Sequence, residues 1–260
     1  MNNQTIDVLN KRDIDNILFS INIISQEINF IDGNGCAYKR NINILIGCTI
    51  HGVRKYITSV FDDEFSKTSQ WYELFLNLKN FGLNHAFYII TSNDTISNAF
   101  KLAFKDGKCF YSILNNIYKL NHYISFSYTN DILEKIRKVC LSNDIDEYFI
   151  RKNNLLDLYN EFIFIKDKLE IEFNNFNKNL EYDLFIRRHL LSFYFIRDFK
   201  KKLMSSANSK DNFYSIDEYI TLILPTIQKF ESRMYCSKKE WNQIISLLYK
   251  DYKDLLLCSL

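Results

Sequence analysis

A mixed α/β fold is what this sequence predicts, on three observations. β-patterned runs follow one another between residues 27 and 61, a helix-period stretch fills residues 65–80, and a continuous apolar run comes at residues 86–90. Beyond residue 120 the strand signals vanish, and helical patterns dominate to about residue 185. Taken in order, the first stretch has Ile14, Ile17, Leu18 and Ile21 at helical spacing, which predicts a short helix. Residues 27–32 alternate Ile28, Phe30 and Asp32 against Asn29 and Ile31, a strand pattern stopped by the turn residues Gly33, Asn34 and Gly35. The β-branched run at residues 41–50 meets the run at residues 53–61 through His51 and Gly52. That junction predicts a hairpin, and with the first run three consecutive antiparallel strands.

Trp71, Leu74, Phe75 and Leu78 then recur at i, i+3, i+4 and i+7, which makes one apolar helix face. Ser66 or Thr68 is expected to cap this helix, and Gly82 to stop it in the left-handed C′ position. The apolar run at 86–90 reads as a strand buried on both faces. A helix at 97–104 and a short element at 109–113 follow, then the helical insertion at about 120–185. One helix at 187–204, a polar loop at 205–212 and two last helices at 216–232 and 237–257 complete the chain. Pro225 is expected to kink the first of that pair. The organisation expected is a short segment, 1–27, before a core, 28–260.

At 260 residues the chain is long enough to bury a full core. A net charge of +2 is too balanced to argue for nucleic acid by itself. Neither a signal-peptide layout nor an apolar run near the ~18 residues that span a bilayer is present, so a cytoplasmic protein with no membrane partner is expected. The six cysteines show no CxxC spacing and are read as reduced, mostly buried thiols. His51, His85, His122 and His189 have no partners at catalytic spacing and are read as turn or surface residues.

An acid ending the first strand, with this strand order, resembles the opening of the ribonuclease-H-like fold. The residues extend the likeness: Ile31-Asp32-Gly33, then Ile46-Gly47 leading to His51-Gly52-Val53-Arg54, then Ser69-x-Trp71, Leu78-Lys79 and Gly82-Leu83. Together with residues 186–203 and Trp241 in the tail, this ordered set resembles the Mutator-like bacterial insertion-sequence transposases, over about residues 29–125 and 186–248. The resemblance implies a ribonuclease-H-like mixed sheet with a helical insertion and C-terminal helices, DNA as substrate, and two metal ions held by three acids. It also implies that residues 1–27 stand where the family carries a long DNA-binding region.

Carried over residue by residue, the acids survive unevenly. The first falls on Asp32, the second on Ser92-Asn93, and the glutamate on Arg197. The family's Cys-x-x-His-x-x-Arg-Asn motif becomes Cys109, Ser112, Asn115 and Asn116, with its His and Arg gone. Mg²⁺ is a hard cation that prefers oxygen anions, so a Ser hydroxyl is a weak ligand and an Arg guanidinium repels it. The expectation is a transposase-like protein without catalysis, with residual DNA binding and no cofactor. Two alternatives stand beside it: a displaced triad of Asp32, Asp94 and Asp198 holding Mg²⁺ or Mn²⁺, or a module that associates with an intact transposase subunit or a second copy. Arg187, Arg188, Lys200, Lys201 and Lys202 form the densest basic stretch and are the candidate phosphate contacts; a solvated helix face is the bland reading. Asp62, Asp63 and Glu64 read as an acidic helix start rather than a metal cluster.

Overall fold

Strand β1 (Ile17–Ile31) is the central strand of the five-stranded sheet. The computed structural model describes residues 15–117, 126–207, 210, 212–231 and 236–257. On one side β1 pairs antiparallel with β2 (Ala37–Thr49), from Ile31 against Ala37 back to Leu18 against Thr49. On the other it pairs parallel with β4 (His85–Thr91), from Ile17 against His85 to Asn22 against Ile90. β3 (Arg54–Phe61) lies antiparallel to β2, and β5 (Lys108–Tyr111) completes the order β3-β2-β1-β4-β5. This is the mixed α/β, ribonuclease-H-like arrangement that the sequence predicts.

The expected helix around Ile17, Leu18 and Ile21 is instead the first half of β1, and the expected boundary at residue 27 falls inside the same strand. The reason is burial. A strand covered on both faces is apolar at nearly every position, so helical spacing is found in it by default. Residues 17–24 of β1 are all buried, and exposed positions enter only toward its far end. There the segment around Phe213 takes over: Ile31 N–H donates to the Phe213 carbonyl and Phe213 N–H to that of Asn29. Residues 1–14 of the expected N-terminal segment lie outside the described residues.

Two units divide the chain, Met1–Cys109 with Tyr194–Leu260, and Phe110–Phe193. In the first, α1 (Thr68–Asn80) and α2 (Asp94–Ala103) bring Trp71, Leu74, Phe75, Leu78 and Phe100 into one cluster with Ile21, Ile23 and Leu45 of the sheet. Trp71 is wholly buried, and its indole N–H donates to the Phe65 carbonyl at 2.8 Å. The cap of α1 is Lys67, not Ser66 or Thr68; the Gln70 side chain accepts the Lys67 N–H. At its other end Leu83 N–H returns to the Leu78 carbonyl and Gly82 N–H to Lys79, with Gly82 at φ 107°. That pair of bonds is the Schellman stop.

The expected single helix at 187–204 is two, α7 (Leu184–Leu191) and α8 (Phe193–Ala207). Ser192 breaks them at φ 48°, its hydroxyl donating to the His189 carbonyl. α9 (Ile216–Glu231) and α10 (Lys238–Leu257) follow. The second unit holds α3 (Ile113–Ile117), α4 (Phe126–Cys140), α5 (Ile145–Asp157), α6 (Ile163–Phe176) and α7. Its core includes Tyr148, whose hydroxyl donates to the Phe173 carbonyl. Among the described residues no helix is long and apolar enough to cross a membrane.

Gly82→Ala forces a Cβ into the left-handed region and is expected to lower unfolding free energy by about 1–2 kcal/mol. Gly33→Ala, where nothing lies within 4 Å of the added Cβ, is expected to change it little. Urea unfolding of both variants compares the two positions directly; equal losses would contradict the Schellman assignment.

Candidate functional site

Asp32 sits in the turn after β1, and its carboxylate serves that turn. Oδ1 accepts from Asn34 N–H at 2.9 Å and from Cys36 N–H at 2.8 Å. Gly35, at φ 81°, closes the same loop by donating to the Asp32 carbonyl. A short acceptor that ties down backbone amides is what Asp commonly does in a turn. The position therefore needs no ligand to explain it.

Register then places Asp32 far from Asp94. The level of Ile90 on β4 is Asn22 on β1. From there to Asp32 the strand rises about 33 Å, at ~3.3 Å per residue. Asp94 opens α2 just past the end of β4, while metal ions that share carboxylates lie only ~3.5–4 Å apart. Asp198 is committed elsewhere. Its Oδ1 accepts from the Arg197 Nε at 3.0 Å, and that guanidinium also lies 5.2 Å over the Tyr194 ring. One helical step separates the two Cβ directions, but the long Arg side chain bends back across it. Asp32, Asp94 and Asp198 are thus not brought together, and no group of three or more metal-ligating side chains occurs among the described residues.

The strand position level with the end of β4 is Asn22. It is 1% exposed, and its Oδ1 has no hydrogen-bond partner; Ser20, also 1% exposed, leaves its Oγ in the same condition. Sequence reasoning missed Asn22, because the residues before Glu27 were read as helix. The signal was present as a hydroxyl and an amide, Ser20 and Asn22, within an otherwise apolar run. Asn has the shape of Asp without its charge. On the β4 side, Ser92 leads to Asn93, whose Oδ1 accepts from Thr95 and Ile96 N–H and so caps α2. An amide and a hydroxyl are neutral donors that do not fit the two-metal centre the resemblance implies.

The basic stretch divides between core and surface. Arg187 is 3% exposed and donates to three carbonyls: Tyr182 from Nε, Cys140 from Nη1 and Ser142 from Nη2. Burial lowers its pKa, opposed by nearby Cys140 and Asp183. It is an internal clamp of the second unit, not a phosphate contact. Lys200 is buried as well. Arg188, Lys201 and Lys202 are exposed. His189, expected at a turn or the surface, is buried in α7.

Other singled-out residues have structural partners. Arg40 pairs with Asp63 at 2.6 Å and Glu64 at 3.0 Å, and Asp62 accepts from the Asn43 side chain. Asn116 donates to Glu172, which also accepts from the Tyr111 hydroxyl at 2.8 Å. Desolvation, and then Glu172, push the Tyr111 hydroxyl up to about 12. Burial holds the Cys48 thiol up at about 11, despite Arg54, so it is not a thiolate nucleophile near neutral pH. Among the described residues, Cys36, Cys48, Cys109, Cys140 and Cys236 form no disulfide.

Arg187→Ala would leave buried carbonyls unsatisfied and is expected to destabilise the protein by roughly 3 kcal/mol or more. Thermal unfolding measures the loss, and Arg187→Lys should recover little of it, because one ammonium cannot reproduce the forked geometry. A variant as stable as the parent would remove Arg187 from this role. The family model described as "Transposase, Mutator family" matches residues 3–229. No curated protein matches the chain.

Proposed function

The chain belongs to the Mutator family of transposases, and on that premise we propose that it is a DNA-transposition protein whose catalysis is silent and whose remaining activity is to hold DNA. The observation that carries this reading is the donor set. A dication bound between β1 and β4 would meet the Asn22 amide and the Ser92 hydroxyl, neutral oxygens where a two-metal centre needs carboxylates. The third acid position carries the Arg197 guanidinium, already bonded to Asp198. Neutral oxygens cannot balance the charge of two dications, and a fixed positive charge opposes it.

DNA contact falls to the exposed cations. α8 turns Phe195, Phe199 and Leu203 inward and leaves Tyr194, Lys201 and Lys202 outside. Phosphate contacts of this kind give affinity without sequence information and weaken steeply with salt. Arg187 and Lys200 are not part of the proposal, since both are buried.

Purified protein with Mg²⁺ or Mn²⁺ is expected neither to nick nor to join transposon-end DNA. It is expected to shift duplex DNA at low salt, and Lys201→Glu with Lys202→Glu should weaken that shift and reduce the salt slope by about 2. Metal-dependent cleavage lost in Asp94→Ala or Asp198→Ala would overturn the silent-site reading. Absence of any duplex binding at low salt would overturn the DNA-holding one.

A second reading, association with another transposase subunit or a second copy, has its own support. Phe149 and Ile150 of α5, and Ile163, Phe164 and Ile171 of α6, are between 42% and 67% exposed. So many exposed large apolar side chains on one helical unit are unusual for a chain that works alone. Sedimentation velocity is expected to find a concentration-dependent dimer that Ile163→Lys weakens; a monomer at all concentrations, with no complex on adding intact transposase, would dismiss this reading.

A further inference from the structure

In the first unit, α10 packs at the turn between β2 and β3. The Trp241 indole N–H donates to the Ile50 carbonyl at 3.0 Å, and this bond fixes the helix against the hairpin. Beside it opens a cavity of about 350 Å³. Trp241, Ile245 and Tyr249, from successive turns of α10, line it together with His51 of the hairpin, Asn242 and Lys238. The volume is at the lower end of the ~300–1,000 Å³ range of small-ligand pockets.

The lining has two chemical characters. Its apolar and aromatic part suits a flat ring, and Asn242 can both donate and accept at a ring edge. Its charge is positive: Lys238 is exposed, and among the described residues no carboxylate lines the cavity. The nearby Glu240 carboxylate is engaged by the Ser237 N–H and hydroxyl, both at 3.0 Å. A nucleotide joins a planar ring to an anion and so meets both characters. The matched family span ends at residue 229, before α10 begins, so the match does not assign this cavity.

We propose that the cavity takes one nucleotide of single-stranded DNA, with the base against the half-buried Tyr249 ring, beside the edge of the buried Trp241, and its phosphate at Lys238. The choice of DNA over a free nucleotide rests on the reading of the chain as a DNA-holding protein. Duplex held by α8 and a single strand held by α10 are separate contacts with separate residues.

Fluorescence tests this directly, because the chain has two tryptophans and Trp71 is sealed in the core. An oligothymidylate of about eight nucleotides, within the usual site sizes for single strands, is the probe. Binding is expected to change Trp241 emission saturably, and Trp241→Phe to abolish the change. Tyr249→Ala and Lys238→Glu should each weaken affinity about tenfold; Lys238 is exposed, so its variant keeps the fold. Thymidine monophosphate alone should bind more weakly than the oligonucleotide. No emission change, or affinities in Tyr249→Ala and Lys238→Glu equal to the parent's, would overturn the proposal. Loss of duplex binding with the fluorescence change intact would count against the α8 contact alone. Retained duplex binding without the change would count against the cavity alone.

Discussion

The parallel pairing of β1 with β4 is the constraint on which the rest depends. It fixes which β1 residue stands beside the end of β4, and that residue is Asn22. It also buries the first half of β1, so any polar group there must be matched or pay for its desolvation. Ser20 and Asn22 each leave an oxygen unmatched, which costs on the order of 1–3 kcal/mol per group. An ionised carboxylate at Asn22 without a dication beside it would cost far more, because a charge would then be desolvated unpaired. The Asn22 amide has the same shape and no charge to desolvate, so it is the cheaper group at this buried position.

Charge elsewhere follows a similar logic. Arg187 and Lys201 belong to one basic stretch in the sequence, yet one is sealed among carbonyls and the other faces water. The left-handed residue Ser192 resets the helical phase between them, so spacing counted across it does not tell which side chains share a face. Arg197 lies past the break, where its guanidinium is half-exposed and paired with the neighbouring carboxylate. Density of basic residues measures neither exposure nor availability.

Elements that satisfy themselves locally were legible in the sequence. The 3.6-residue period of Trp71, Leu74, Phe75 and Leu78 names the buried face of α1, and Gly82 its stop, because both are settled within a few turns of chain. The β2–β3 hairpin was legible for the same reason, its turn lying between two β-branched runs. The first half of β1 was not, since a strand covered on both faces has no period to read. Asp32 stood out as a ligand only because it ended an apolar run; its real partners, the amides of Asn34 and Cys36, are invisible to pattern. Arg187 finds its carbonyls at Cys140 and Ser142, far along the chain, and no local rule reaches that distance.

α10 shows that a matched family span and a folding unit need not end together. It lies beyond residue 229, yet Trp241 meets Phe19 of β1 edge-on at 5.3 Å and Tyr252 meets Phe87 of β4 at 4.4 Å. Ile244, Leu248 and Leu256 are buried as well, and Lys108 pairs with Asp251 at 3.1 Å. A helix that supplies this much of the core cannot be a loose tail; without it Phe19 and Phe87 would lose aromatic partners and face water. The same packing has a consequence at the surface. Side chains carried on a helix whose other face is locked into the sheet hold their positions before any ligand arrives, and preorganisation of that kind lowers the entropy lost on binding. The residues that line the cavity are thus held by the core itself, on the rigid side of the first unit.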